Sequence, residues 1–215
     1  MIQAPFNNVI ISVETKYIRN ITNVLRMSAI QQGASVDPAD CVQIVGDVVS
    51  IPKAIDNKQE HIGFSCSDIK VGDKAIFSHS VIYSFEQTAP DADPIYKNLF
   101  YYQGREYFVC DIQYIFGVIR NGEIIMVNGY SMIYDFADPK IILATNSKKA
   151  LPATTSELMY IGSPKTKNPI LSITPGETAI FNPSKTTKYQ IAGKPFRIIQ
   201  QAHLLGFEHG TGQVE

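Results

Sequence analysis

Val71-Gly72-Asp73-Lys74-Ala75-Ile76-Phe77 and Thr174-Pro175-Gly176-Glu177-Thr178-Ala179-Ile180-Phe181 carry glycine, an acid, alanine, isoleucine and phenylalanine in the same order. In each, the glycine supplies a permissive backbone, the acid can bond nearby amides, and the apolar run that follows reads as a strand leaving a turn. A second window repeats in the same order. Gly104-Arg105-Glu106-Tyr107-Phe108-Val109 through Gly117 aligns without a gap on Gly193-Lys194-Pro195-Phe196-Arg197-Ile198 through Gly206. Between the windows, Cys41 to Gly46 matches Leu158-Met159-Tyr160-Ile161-Gly162. Two ungapped windows in one order indicate an internal duplication, and the first copy is the longer wherever the two differ. Its extra residues are expected in surface loops.

Working outward, Val9 to Val13 and Cys41 to Gly46 read as β-branched strands ended by turn chemistry. Between them Ile18, Ile21, Leu25 and Ala29 fall at helical spacing, which predicts a short amphipathic helix over 15–31, with a flexible arm as the alternative. Ser84 to Tyr102 carries Pro90, Pro94 and three acidic residues and ends in Leu99, Phe100, Tyr101 and Tyr102, a loop with an aromatic end. Gly104 to Ile119 alternates well enough for one or two strands, and Asn121-Gly122 is a tight-turn signal between two apolar runs. The expected fold is all-β: two tandem small barrels, residues 1–124 and 125–215, with loop insertions in the first.

The 215 residues, 45% of them hydrophobic, suffice for a sizeable core in one large or two small domains. A formal net charge of -1 with both signs scattered leaves no basic stripe for a phosphate backbone, so nucleic acid is not an expected partner. No apolar run is long enough to span a bilayer, and Met1 to Asn8 lacks a signal core; the expectation is a cytoplasmic protein without membrane contact. Cys41, Cys66 and Cys110 fit reduced thiols better than a disulfide framework. His61, Cys66 and His79 lack paired metal-ligand spacing, so no metal is assigned, and no cofactor is expected.

The order of these signals is similar to that of GroES-type co-chaperonins: Val42-Gln43-Ile44-Val45-Gly46, then Val-Gly-Asp-x-x-Ile-Phe, then a last strand with an Ile/Leu pair before its end. The resemblance covers nearly the whole chain as a divergent tandem pair. It implies a homo-oligomeric ring that caps a chaperonin chamber through mobile apolar tripeptides. Ile141, Ile142 and Leu143 are placed like that tripeptide in the second copy, and Asn23, Val24 and Leu25 take the place in the first. The glycines that usually open such a loop are absent; Ile21-Thr22 and Pro139-Lys140 stand there instead. Each docking event orders a loop and is weak, and many loops on one ring make the whole strong.

From the residues alone, Ile141 to Leu143 also read as an ordinary buried strand, and Val24, Leu25 and Met27 as a fixed arm. Phe100, Tyr101 and Tyr102 read as strand packing or as an interface anchor. The chain has no Gly-x-Ser-x-Gly elbow, no phosphate loop and no Gly-x-Gly-x-x-Gly, so an enzyme is not expected. Zinc-dependent alcohol dehydrogenases carry a GroES-like domain but need a dinucleotide-binding domain for which there is no room. Two roles follow: a co-chaperonin, virus-encoded if the insertions serve an unusual client and then acting in the host cytoplasm, or a non-enzymatic structural protein. The latter would be a phage virion component that binds capsid proteins through the same barrel.

Overall fold

The structure is a computed structural model; it describes residues 2–13, 44–56, 63–86, 95–135, 141–142, 153–163, 174–191 and 194–208. The first half contributes β1 (Asn8–Ser12), β2 (Val45–Ser50), β3 (Lys74–Phe77), a single helical turn at Ser80–Tyr83, β4 (Phe85–Glu86), β5 (Ile95–Tyr96), β6 (Leu99–Tyr102), β7 (Arg105–Asp111), β8 (Ile115–Arg120) and β9 (Glu123–Met126). The second contributes β10 (Tyr130–Tyr134), β11 (Ile141–Ile142), β12 (Ala153–Ile161), β13 (Thr178–Phe181), β14 (Thr187–Ile191), β15 (Lys194–Gln200) and β16 (Leu204–Glu208). The protein is therefore mostly β. The segment Ser84 to Tyr102, expected as a loop, instead holds the β4–β5 ribbon and edge strand β6. The helix expected over 15–31 lies outside the described residues.

The two large antiparallel sheets share one strand order. The first runs β6-β7-β1-β2-β3-β8-β9 and the second β14-β15-β10-β12-β13-β16, with β11 beside β12. Neither closes on itself among the described residues. The registers match as well as the order. Ile76 faces Gly117 in one and Ile180 faces Gly206 in the other, each followed by a bulge. A second pair of bulges falls between Ile10 and Ile11 and between Met132 and Ile133. Both ungapped windows of the sequence are thus equivalent in space.

The third match needs correction. Val45 and Thr155 face Ile76 and Ile180, so Val45–Ser50 is the counterpart of Thr155–Tyr160, and Gly46 corresponds to Ser156, not to Gly162. The strand expected at Cys41 to Gly46 accordingly runs on to Ser50, with Cys41 to Gln43 outside the described residues.

The repeated turn is built the same way twice. Gly72 and Gly176 have φ of 92° and 93°, the left-handed value that the third position of a type II turn requires, and Pro175 suits the second position. Lys70 N donates to Asp73 Oδ2 (2.7 Å) and Thr174 N to Glu177 Oε2 (3.0 Å). The glycine amides reach back to Val48 O and Leu158 O. Asn121-Gly122 and Gln103-Gly104 each place both central residues at positive φ, as two-residue hairpins between right-twisted strands demand.

In the first copy an arginine fastens the turn: Arg120 Nε and Nη2 donate to Asp73 Oδ1 (2.8 Å) and Oδ2 (2.7 Å), and Nη2 also reaches Asp68 O. Asp73 is buried, and the Arg120 hydrogen bonds hold its carboxyl below the ordinary range against the opposing effect of burial. A depressed carboxyl stabilises the fold above its unfolded pKa, and that contribution is lost as pH falls through the folded value. Arg120→Met should therefore lower the melting temperature at neutral pH and converge on the parent in acid. An offset independent of pH would contradict this.

The core positions repeat too. Ile11, Val48, Ala75, Phe77 and Cys110 in the first half correspond to Ile133, Leu158, Ala179, Phe181 and Ile199, which form a buried cluster of their own. The opposite face of the second sheet, with Met132, Tyr189, Ile191, Phe196 and Ile198, joins the core of the first half.

Candidate functional site

The connections between the first and second long strands of each copy, β1 to β2 and β10 to β12, are topologically equivalent. They contain Asn23, Val24, Leu25 and Leu143, which lie outside the described residues, and Ile141 and Ile142, which form β11. Ile141 pairs with Thr154 and Ile142 with Ala153, an antiparallel step on the edge of β12. Along the chain, each tripeptide therefore falls between strands that are equivalent in the two sheets.

The second candidate surface is the junction between the halves. β9 pairs with β8 of the first sheet and also packs against β12 and β10 of the second. Phe116 stands edge-on to Tyr130 at 4.8 Å between ring centroids and tilts against Tyr189 at 5.4 Å. Tyr189 also faces His79. Tyr130 Oη donates to Gln113 O (2.8 Å) and accepts from Gln200 Nε2 (3.1 Å), and burial pushes its phenol up. At the rim, Ser65 N donates to Asn128 Oδ1 and Ser163 Oγ to Asp68 Oδ2.

Gly162 lies against this junction. A Cβ there would meet Met126 C, Met126 O and Tyr130 O at 2.7–2.8 Å, all backbone atoms that no rotamer change can move. Gly162→Ala should therefore cost about 1–3 kcal/mol in urea denaturation; a neutral result would mean that the β9–β10 connection shifts freely.

The aromatic run at the end of the first-half insertion is divided between packing and solvent. Phe100 stacks on Tyr107 at 5.6 Å. Tyr101 and Tyr102 are exposed, and Tyr101 Oη donates to Glu106 Oε1. Cys110 is fully buried at a core position, and its thiol is pushed up by that burial; the half-buried Cys66 thiol is pushed up to about 11. Neither is a ready thiolate. Among the described residues no group of three or more His, Cys, Asp or Glu gathers as metal ligands, and no helix is long and apolar enough to cross a membrane.

No protein-family model matches the chain, and no curated protein matches it. The junction residues Phe116, Tyr130 and Tyr189 were missed in the sequence. The signal for the first was present, since the ungapped window sets Phe116 opposite Leu205, apolar residues at one step of the repeat.

Proposed function

We propose that the chain is a co-chaperonin-like subunit, two GroES-like barrels in tandem, which docks on a chaperonin ring through the β1–β2 and β10–β12 connections and helps to close its chamber. What supports this reading is the shared strand order of the two copies, together with the position along the chain of Asn23-Val24-Leu25 and Ile141-Ile142-Leu143, each between strands that are equivalent in that order. Two such connections per chain would give each subunit bivalent attachment, so that individually weak contacts add up. Folding assistance of this kind needs no catalytic group.

The test is co-sedimentation of the purified chain with a bacterial-type chaperonin, with and without ATP or ADP, alongside Ile142→Asp. Nucleotide-dependent capture at a fixed ratio, lost in the variant with the fold intact, is the expected result. Absence of capture in every nucleotide state would remove the reading.

The pairing of Ile141 and Ile142 with β12 favours a second role, in which the connection is a fixed clamp and the chain a structural part of a larger assembly, such as a virion. Under that reading both connections resist protease in the isolated protein, whereas a docking arm is cut early.

A further inference from the structure

The repeat sets three positions of the second sheet against core positions of the first. Ile11 faces Phe108 and Ile133 faces Arg197, so Arg197 is the counterpart of Phe108 and Asp135, two steps past Ile133, that of Val13. Leu99 faces Phe108 and Lys188 faces Arg197, so Lys188 is the counterpart of Leu99. Val13 and Phe108 are buried, and Leu99 packs against the same core. Three apolar residues of one copy are thus three charged residues of the other, on one face of the sheet by strand alternation. The connections nearby differ as well. In the first copy the chain between β3 and β6 carries the helical turn Ser80–Tyr83, which packs on β7 and adds Val81 and Ile82 to the core. Asn98 Nδ2 donates to Val81 O and fixes that turn. The counterpart between β13 and β14 is the short connection 182–186, a 3-10 turn that holds Lys185 and Thr186. Where the first copy lays an apolar turn, the second presents charge.

Those charges do not cancel. Arg197 Nε donates to Asp135 Oδ1 (2.6 Å) and Nη1 to Thr186 Oγ1 (2.9 Å), and both partners of this ion pair are largely buried. Lys188 Nζ stands 3.7 Å from Asp135 Oδ2, beyond hydrogen-bond distance, and its side chain is 49% exposed. Asp135 therefore belongs to Arg197. Lys188 lies directly opposite Arg197 across the β14–β15 ladder, a like-charge pairing that destabilises a sheet and that one carboxylate offsets only in part. One positive charge is left over. The chain nearby supplies no second acid: residues 178–207 contain Lys185, Lys188, Lys194 and Arg197 and neither Asp nor Glu. Among the described residues β14 is also the edge strand of its sheet.

We infer that β14, with Lys188 backed by Arg197, is a docking edge for an acidic, extended segment of a partner protein. The segment adds to the edge through its backbone, and an Asp or Glu in it that faces Lys188 supplies the missing negative charge. A lysine on an edge strand deters apolar and basic strands, so the residue that protects the edge also selects the partner. A single surplus charge suits a carboxylate better than a doubly charged phosphate, because Asp135 repels the second negative charge. The inference stands on the second sheet alone and not on the capping role.

Fluorescence anisotropy of the full chain with a labelled peptide of about ten residues that alternates Glu with Thr tests it, since alternation puts every carboxylate on one face of a strand. The peptide is expected to bind, and a Lys-Thr peptide of the same length is not. Lys188→Glu should weaken binding by about tenfold or more, and Lys188→Gln by less. Both substitutions are at a half-exposed side chain, so circular dichroism should be unchanged. Lys74→Glu, at an exposed lysine of the first sheet, should leave binding as it is. A Glu-Pro peptide, which cannot extend a ladder, should fail to bind. No binding of the Glu-Thr peptide, or full binding to both Lys188 variants, would overturn the inference. Equal binding of the Glu-Pro peptide would overturn strand addition, and displacement of the Glu-Thr peptide by inorganic phosphate at constant ionic strength would overturn the choice of a carboxylate partner.

Discussion

Phe116→Ala is expected to destabilise the chain by about 3–5 kcal/mol, the usual range for deleting a buried ring. Phe116 is nearly fully buried although it projects from the first sheet, because the second half covers it. Its ring meets Tyr130 and Tyr189, which belong to different strands of the second sheet. Removal would leave a cavity whose walls are held by the β8–β9 ladder on one side and by the Tyr130 hydrogen bonds to Gln113 and Gln200 on the other. Those restraints oppose collapse, which places the cost high in the range. Urea denaturation followed by tyrosine near-ultraviolet circular dichroism reads the change, since the chain has no tryptophan. One large core draws residues from both halves, so the parent should unfold in a single transition, with its midpoint lowered in the variant. A loss under about 1 kcal/mol would mean that the halves are coupled elsewhere.

The same junction shows what could be read in advance and what could not. Glycine, acid and Ile-Phe at fixed steps mark a turn and the strand after it by local chemistry, and local chemistry survives duplication; both windows fall on equivalent strands. The third match failed for a physical reason. Gly46 and Gly162 both looked like strand ends, but they are glycines for different neighbours. A Cβ at Gly46 would press on Ser12 O and Val13 inside the sheet, whereas Gly162 lies against the backbone of Met126 and Tyr130. In the second copy the site of Gly46 is occupied by Ser156, whose hydroxyl donates to Tyr134 O across the gap that Gly46 leaves to Ser12 O. Nothing in the order of residues announces that exchange. The double duty of β9 was equally hidden, because it is a matter of register, and a boundary drawn at 124/125 cuts through the strand. Of the six tripeptide residues, Ile141 and Ile142 alone lie on described backbone, and their pairing with β12 shows the helix-free, extended form that β-branched residues favour.

Two equivalent phenylalanines give a comparison in which the chemistry is constant and only the surroundings differ. Phe77 and Phe181 occupy one position of the repeat, and both are fully or almost fully buried. Phe77→Ala should cost about 4–5 kcal/mol and Phe181→Ala about 3 kcal/mol, the two ends of the range for such truncations. Phe77 stands in the large core that continues into the junction, and its Cε1 would lie 3.3 Å from a Cβ on Gly46. Its neighbours are held from both halves and have little freedom to move inward. Phe181 belongs to a cluster of five buried residues edged by Ile161, Leu204 and Phe207, all partly exposed, which can relax into the space left behind. The cost of a cavity falls as its walls collapse, so unequal losses are the expected consequence of unequal confinement. Urea midpoints with unchanged slopes would measure both. Equal losses would show that the smaller cluster is braced as firmly as the larger one; in that case the second half would have a rigid core of its own, and the junction would join two independently stable units.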